Sequence, residues 1–371
     1  PAPPGTVRWW ARSGGDALGP ADDEAVQRSG PRESPLWLWQ ALANLNAEVQ
    51  PATWLPAAQG QAADSLAVRR WVFTSATLGQ DDDLQWFTEA AGLRLPATPP
   101  ITTPPDTLEH APMATRAATG LRTVRLPSQF DWARQSAMLV PRGLSRDALG
   151  PWLAPHVQAL GGRTLVLCTS QAGMVAVAMA LRQALASSGI AVLVQGEQPK
   201  RHLLATMRNP PQTGGAVLVG TMGLWEGVDL PGDALQLVVI DKLPFPPLHD
   251  ALHAARAHAV DEAGGSGFAD YTVPHTAMLL RQGVGRLIRS AADRGLVVIA
   301  DDRLLSKNYG PSLLASLPPM RWLAEAEVPG YLAALRRAPD DPALPASDAD
   351  SPPTAADPAT ATPAVDTGNM Q

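Results

Sequence analysis

A parallel α/β sheet covered by helices on both faces is the fold this sequence predicts, and three observations predict it. Five short runs rich in Val, Leu and Ile recur between residues 164 and 301. Segments with helical spacing separate most of them. The runs are continuously apolar rather than alternating, as strands buried on both faces require. In order, the strands are "TLVLC" (164–168), "AVLVQ" (191–195), "AVLVG" (216–220), "LQLVVID" (235–241) and "GLVVIAD" (295–301). The helices between them are "SQAGMVAVAMALRQALASSG", "PKRHLLATMRN", "LHDALHAARAHAVDEAG" and a last segment containing "LLRQGVGRLIRS" (279–290). Apolar strands alternating with amphipathic helices give a parallel sheet, and such sheets gather function beyond the carboxyl ends of their strands.

Upstream the pattern is less regular. The first thirty-odd residues show no clean periodicity, and "LWLWQALANLNAEV" within 35–60 predicts a helix. "RRWVFTSATLG" reads as a buried strand entering a turn, followed by helical spacing in "DDLQWFTEAAGL". Residues 95–120 are rich in Pro and Thr and read as a linker. From about 338 the chain is rich in Pro, Ala and Asp with few large apolar residues, a composition expected to be disordered. The expected organisation is residues 1–115, 116–337 and a tail at 338–371.

Composition narrows the function. The 371 residues carry a formal net charge of −6, so any polyanion site must be a local patch. Lysine occurs only as Lys200, Lys242 and Lys307; arginine carries the positive charge, a bias expected of a GC-rich genome. One cysteine, Cys168, excludes an intrachain disulfide, and no Cys/His cluster reads as a metal site. No apolar run reaches membrane-spanning length and no signal peptide is visible, so the expected location is the cytoplasm.

The segment 279–290 holds the most specific chemistry. On a helix, Gln282, Arg286 and Arg289 fall at i, i+4 and i+7 and form one polar stripe. Leu280, Val284, Leu287 and Ile288 lie opposite. Gly283 and Gly285 each cost a helix interior about 1 kcal/mol, and they strip side chains from the borders of the stripe. Arginine forks presented there suit phosphate oxygens. Two strand ends add to this. Thr169 and Ser170 follow the strand 164–168, where Ser170 can cap the next helix or its hydroxyl can face a phosphate. The strand 216–220 runs into "GTMGLWEGVDLPGD", an irregular loop with Thr221, Gly227, Glu226 and Asp229, while Trp225 is open to packing or to stacking on a base.

Together "VFTSATL", "TLVLCTS", "GTMGLWEGVDLPGDALQLVVIDKLPFPP" and "RQGVGRLIRS" resemble the C-terminal part of the DinG/XPD-like superfamily 2 DNA helicases, the DinG and YoaA types in particular. The resemblance covers about residues 65–335. It implies a RecA-like sheet of the P-loop NTPase type, preceded by the end of a first RecA-like domain. It also implies ATP and Mg²⁺ as cofactors, travel on single-stranded DNA, and a role in repair or replication in the bacterial cytoplasm. Ser75, Ala76 and Thr77 look like the motif coupling hydrolysis to movement. Thr169, Ser170 and Thr221 look like contacts to the DNA backbone. Glu226, Gly227, Asp229 and Gly285 would sit toward the nucleotide, and Gln282, Arg286 and Arg289 would face the γ-phosphate.

Three parts of such an enzyme are missing here. None of the three lysines stands in a G-x-x-x-x-G-K-[ST] loop. "ADDEAVQ" (21–27) offers Asp-Glu but no apolar strand precedes it. One cysteine cannot hold the four-cysteine iron–sulfur cluster some relatives carry, a cluster left possible only in a longer protein. All of these lie upstream of "TSATL" in the family order. The expectation is therefore a C-terminal motor portion that works with an N-terminal helicase domain and is inactive alone. The alternatives are a non-catalytic nucleic-acid-binding module and an unrelated α/β nucleotide- or sugar-binding domain. The latter is disfavoured if the arginine segment and the "WEGVD" loop converge.

Overall fold

The computed structural model describes Thr6–Trp9, Arg32–Pro35, residues 75, 84, 87 and 126, and residues 128–336 apart from 211–213, 226 and 248–249. The helices expected within 35–60 and 82–93, the strand around 69–79 and the tail from 338 lie outside these residues, Ser75, Leu84 and Phe87 excepted. The chain divides into two compact units, residues 1–128 with 245–278, and residues 129–244 with 279–371.

In the first unit, β1 (Thr6–Trp9) pairs antiparallel with β2 (Arg32–Pro35), a ladder the sequence reading did not foresee. Its later part is helical. It contains Ala251–Glu262, capped by the Asp250 carboxylate on the Leu252 and His253 amides, and the π-helix Gly267–Thr272.

The second unit is built on seven strands. They are β3 (Ser136–Leu139), β4 (Thr164–Leu167), β5 (Ala191–Val194), β6 (Ala216–Gly220), β7 (Leu237–Ile240), β8 (Gly295–Ile299) and β9 (Arg321–Trp322). Their order is β5-β6-β4-β7-β8-β3-β9 and every pairing is parallel. Five of the strands are the five expected. The other two carried weaker signals: β3 is four residues containing Ser and Ala close before Pro141, and β9 is two residues long.

Three helices contribute to the core on one side of this sheet: α1 (Arg146–Leu160), α2 (Gln171–Ala184) and α3 (Val328–Leu335). Leu153, Val157, Val177, Leu181, Tyr331 and Leu332 close over Val166, Val219, Val239 and Val298. Strand residues of the other parity, Leu165, Leu167, Leu218, Val238 and Ile240, are equally buried, so the second face is covered too. The α1 helix escaped the sequence reading because Pro151 and Pro155 interrupt its interior. It packs tightly on α2: a side chain at Gly150 would collide with Ala180.

Register fixes where function can gather. Leu167 pairs with both Gly220 and Ile240, and Ile240 pairs with Ile299. Residues 168–170, 221, 241 and 300–301 therefore emerge together at the carboxyl edge of the sheet.

Candidate functional site

At the end of β4, Cys168 is fully buried and its amide donates to the Gly220 carbonyl at 2.7 Å. Burial, with Asp241 nearby, pushes its thiol well above the usual range, so it is an inert packing residue. The Thr169 amide donates to Asp241 Oδ1 at 2.8 Å. Burial raises the Asp241 carboxyl, and the hydrogen bonds from Thr169 partly oppose it. Ser170 caps α2, its Oγ accepting from the Gly173 amide at 3.1 Å. The structure thus gives Ser170 the capping role. Thr169 and Ser170 both remain partly exposed at the sheet edge.

The loop after β6 is pinned at several points. Gln195, just past β5, accepts the Thr221 amide through Oε1 at 2.9 Å, and Thr221 itself is buried. From the helix Lys200–Arg208, Lys200 Nζ donates to the Gly223 carbonyl at 2.8 Å and Arg208 to the Asp229 carbonyl at 2.7 Å. Gly227 has φ +63°, a left-handed conformation that favours glycine, and stands exposed beside Lys200. Asp229 is exposed; Glu226 lies outside the described residues. Trp225 is fully buried and its indole donates to the Leu279 carbonyl at 2.6 Å, so it packs and has no face for a base.

The arginine segment differs from the single helical stripe expected. The helix Val273–Val284 stops before Arg286 and Arg289, leaving Gly285 and Arg286 in a turn and Arg289 in the irregular segment beyond. Three contacts explain the stop. A Cβ on Gly283 would lie 3.0 Å from Trp225 Nε1 and 3.1 Å from Ile240 Cδ1, so what approaches this glycine is the Trp225 indole. Arg286 Nε donates to the Gln282 carbonyl at 3.2 Å, occupying a helix-terminal acceptor. Asp293 takes the Arg289 and Ser290 amides on Oδ2 at 2.6 and 2.9 Å.

The arginines nevertheless converge. Arg286 NH1 and Arg289 NH2 both donate to the Val228 carbonyl, at 3.1 and 2.9 Å. The "WEGVD" loop and the arginine segment therefore meet at one point, the arrangement that disfavours a coincidental α/β domain. Arg289 Nε is buried and meets no acceptor among the described residues. Ser75 is exposed, while Ala76 and Thr77 lie outside the described residues.

Residues 153–320 match the helicase C-terminal domain family. The ATP-dependent DNA helicase YoaA of Escherichia coli K12 is 41% identical over 256 residues, 67% of this chain and 35% of that protein. The chain belongs to the DinG/YoaA-type superfamily 2 helicases. The ATP-dependent helicase DinG of Mycobacterium tuberculosis H37Rv is 39% identical over 211 residues, covering 55% of this chain and 31% of its own. A Bacillus subtilis relative named 3′-5′ exonuclease DinG is 30% identical over 277 residues, covering 71% and 27%. The chain thus spans about a third of the length of these relatives. Its seven-stranded parallel sheet is the α/β sheet that the sequence pattern implied.

Two residues that hold this site together went unread in the sequence. Asp293 accepts, besides the two amides above, the Gly232 amide and the Ser290 hydroxyl on Oδ1, at 3.0 and 2.7 Å. It joins the arginine segment to the far end of the β6 loop. Gln195 does the same for the start of that loop. Only Asp293 had a local signal: it stands three residues after Ser290, a spacing that permits a side-chain turn.

Proposed function

We propose that this chain is the C-terminal motor portion of an ATP-dependent DNA helicase that moves on single-stranded DNA in the bacterial cytoplasm. Residues 116–337 form its second RecA-like domain, and residues 1–115 the end of the first. The observation that carries this reading is the meeting of Arg286 and Arg289 at the Val228 carbonyl. Two guanidiniums gather on the loop that follows β6, and Arg289 keeps a buried Nε–H unspent. Such donors favour the charge that develops on a phosphoryl group during transfer, an effect worth about 10³–10⁵ in rate where a finger arginine completes the site.

In this reading Arg289 and Arg286 face the γ-phosphate of ATP, with Gln282 and Gly285 beside them. Gly227, Glu226 and Asp229 lie toward the nucleotide. Thr169, Ser170 and Thr221 serve the DNA backbone, and Ser75, Ala76 and Thr77 couple hydrolysis to movement. Thr169 and Ser170 are better exposed for that contact than Thr221. Among the described residues no group of three or more His, Cys, Asp or Glu could hold a metal ion, so none of them is assigned to Mg²⁺. The phosphate-gripping loop and the metal ligands belong to an N-terminal helicase domain acting with this one.

The test is Arg289→Ala in the complete protein. ATP turnover should fall at least about a thousandfold while single-stranded DNA affinity changes little. Retained turnover removes Arg289 from the phosphate role.

A further inference from the structure

We infer that Gln135 is a positioning residue for Arg289, holding from the sheet the turn that aims this arginine. Gln135 is buried at the end of the four-residue helix Trp132–Gln135, immediately before β3. Its direction is set locally. The Gln135 backbone amide donates to the Asp131 carbonyl at 2.9 Å, and Asp131 Oδ1 caps the helix on the Arg134 amide at 3.2 Å. Ser136 Oγ donates to the Trp132 carbonyl at 2.7 Å. Ser136 opens β3 as the partner of Gly295 in β8, so Gln135 reaches the residues just before β8. There its Nε2 meets the carbonyls of Ser290, Ala291 and Asp293 at 2.9, 3.2 and 2.9 Å. A side-chain amide carries two N–H donors, which these three acceptors share. Carbonyl dipoles that converge on one point repel one another and need a donor at the centre, above all where water is excluded, as at the Asp293 carbonyl. No apolar or anionic side chain could take that place.

The turn is thus gripped from two sides. Its amides face inward, those of Arg289 and Ser290 on Asp293 Oδ2 and that of Ala292 on Ser290 Oγ at 3.3 Å. Its carbonyls face Gln135. Ser290 stands between the two grips, its N–H bound by Asp293 and its C=O by Gln135. Peptide groups are planar, so holding the plane on each side of Ser290 fixes its φ and ψ, and with them the direction in which the chain leaves Arg289. Asp293 ties the turn to Gly232 in the β6 loop; Gln135, 155–158 positions away in sequence, ties it to β3. An arginine fork bonds in a fixed plane, so a displacement at 289–290 swings it off its target. Arg289 has little slack: its NH2 is spent on the Val228 carbonyl, and its buried Nε is aimed where no described residue supplies an acceptor. The consequence of this hold for turnover rests on the phosphate reading of Arg289; the hold itself does not.

Two measurements separate the hold from its consequence. In the 371-residue chain, hydrogen exchange is followed at the Arg289 and Ser290 amides, with the Thr221 amide, which Gln195 holds, as the reference. Gln135→Ala should speed exchange at Arg289 and Ser290 at least about tenfold and leave Thr221 within about twofold of the parent. Gln135→Glu keeps the shape but turns acceptors toward three carbonyls, so it should speed exchange at least as much. Where either variant lowers the urea midpoint, the ratio of Arg289 to Thr221 exchange still decides. In the complete protein, Gln135→Ala should lower kcat for ATP about ten- to a hundredfold while KM and single-stranded DNA affinity stay within about threefold. Unchanged exchange at Arg289, an equal acceleration at Thr221, or parent-like protection in Gln135→Glu would overturn the proposal. So would an unchanged kcat in Gln135→Ala where Arg289→Ala abolishes turnover. Turnover that survives Arg289→Ala would remove the phosphate reading instead, and the exchange ratio would then decide the hold by itself.

Discussion

Replacing Asp293 with alanine tests how the arginine segment is held. The carboxylate is buried and accepts four hydrogen bonds, two on each oxygen: Arg289 N and Ser290 N on Oδ2, Gly232 N and Ser290 Oγ on Oδ1. A hydrogen bond to a charged acceptor contributes about 1.5–3 kcal/mol, but the donors here are only partly buried and water recovers part of that. Three backbone amides losing their acceptor should cost about 3–5 kcal/mol in total. Asparagine should rescue little. Whichever way its amide is turned, the NH₂ group faces two donors where an oxygen stood. Urea unfolding followed by fluorescence reads the result: a lower midpoint with an unchanged slope in both variants. A loss below about 1 kcal/mol in Asp293→Ala, or full recovery in Asp293→Asn, would refute the view that this one side chain joins Arg289 to the β6 loop.

Trp225→Ala should destabilise the second unit by about 3–5 kcal/mol, the range for emptying a buried aromatic site. Trp225→Phe should cost less and report on the 2.6 Å bond to Leu279, both read from urea midpoints. Gln195→Ala should cost about 1–2 kcal/mol and speed hydrogen exchange at the Thr221 amide. Unchanged exchange there would mean the Gln195 amide is no anchor. His275 gives a pH dependence. Burial, with His253 beside it, depresses its pKa from 6.5 to about 4. The unfolded chain takes up this proton first, so stability is fully present above pH 6.5 and is lost as pH falls toward 4. The whole span is worth about 3 kcal/mol. His275→Gln should flatten that part of the stability profile, and an identical slope in the variant would contradict the assignment.

The sheet was readable because strands buried on both faces leave continuous apolar runs. All five such runs became strands. β3 and α1 were not, since a serine, an alanine and two interior prolines blurred the patterns that would have marked them. The chemistry at the strand ends was legible as residue types but not as geometry. Periodicity put Gln282, Arg286 and Arg289 on one helix, whereas the polypeptide leaves the helix at Val284 and returns both arginines to the same loop. Gly283 was read as clearing the border of the polar stripe, and the group that approaches it is the Trp225 indole. Asp293 reaches Gly232 across 61 positions and Gln195 reaches Thr221 across 26, separations that no local pattern encodes.

The measurement closest to the central claim is DNA-stimulated ATP hydrolysis by this polypeptide, with single-stranded DNA binding followed in parallel. Salt-sensitive binding without hydrolysis is the predicted result, and addition of the N-terminal helicase domain should restore turnover that Arg289→Ala again removes. Hydrolysis by the chain alone would contradict the account, because it would require a phosphate-gripping element within these 371 residues.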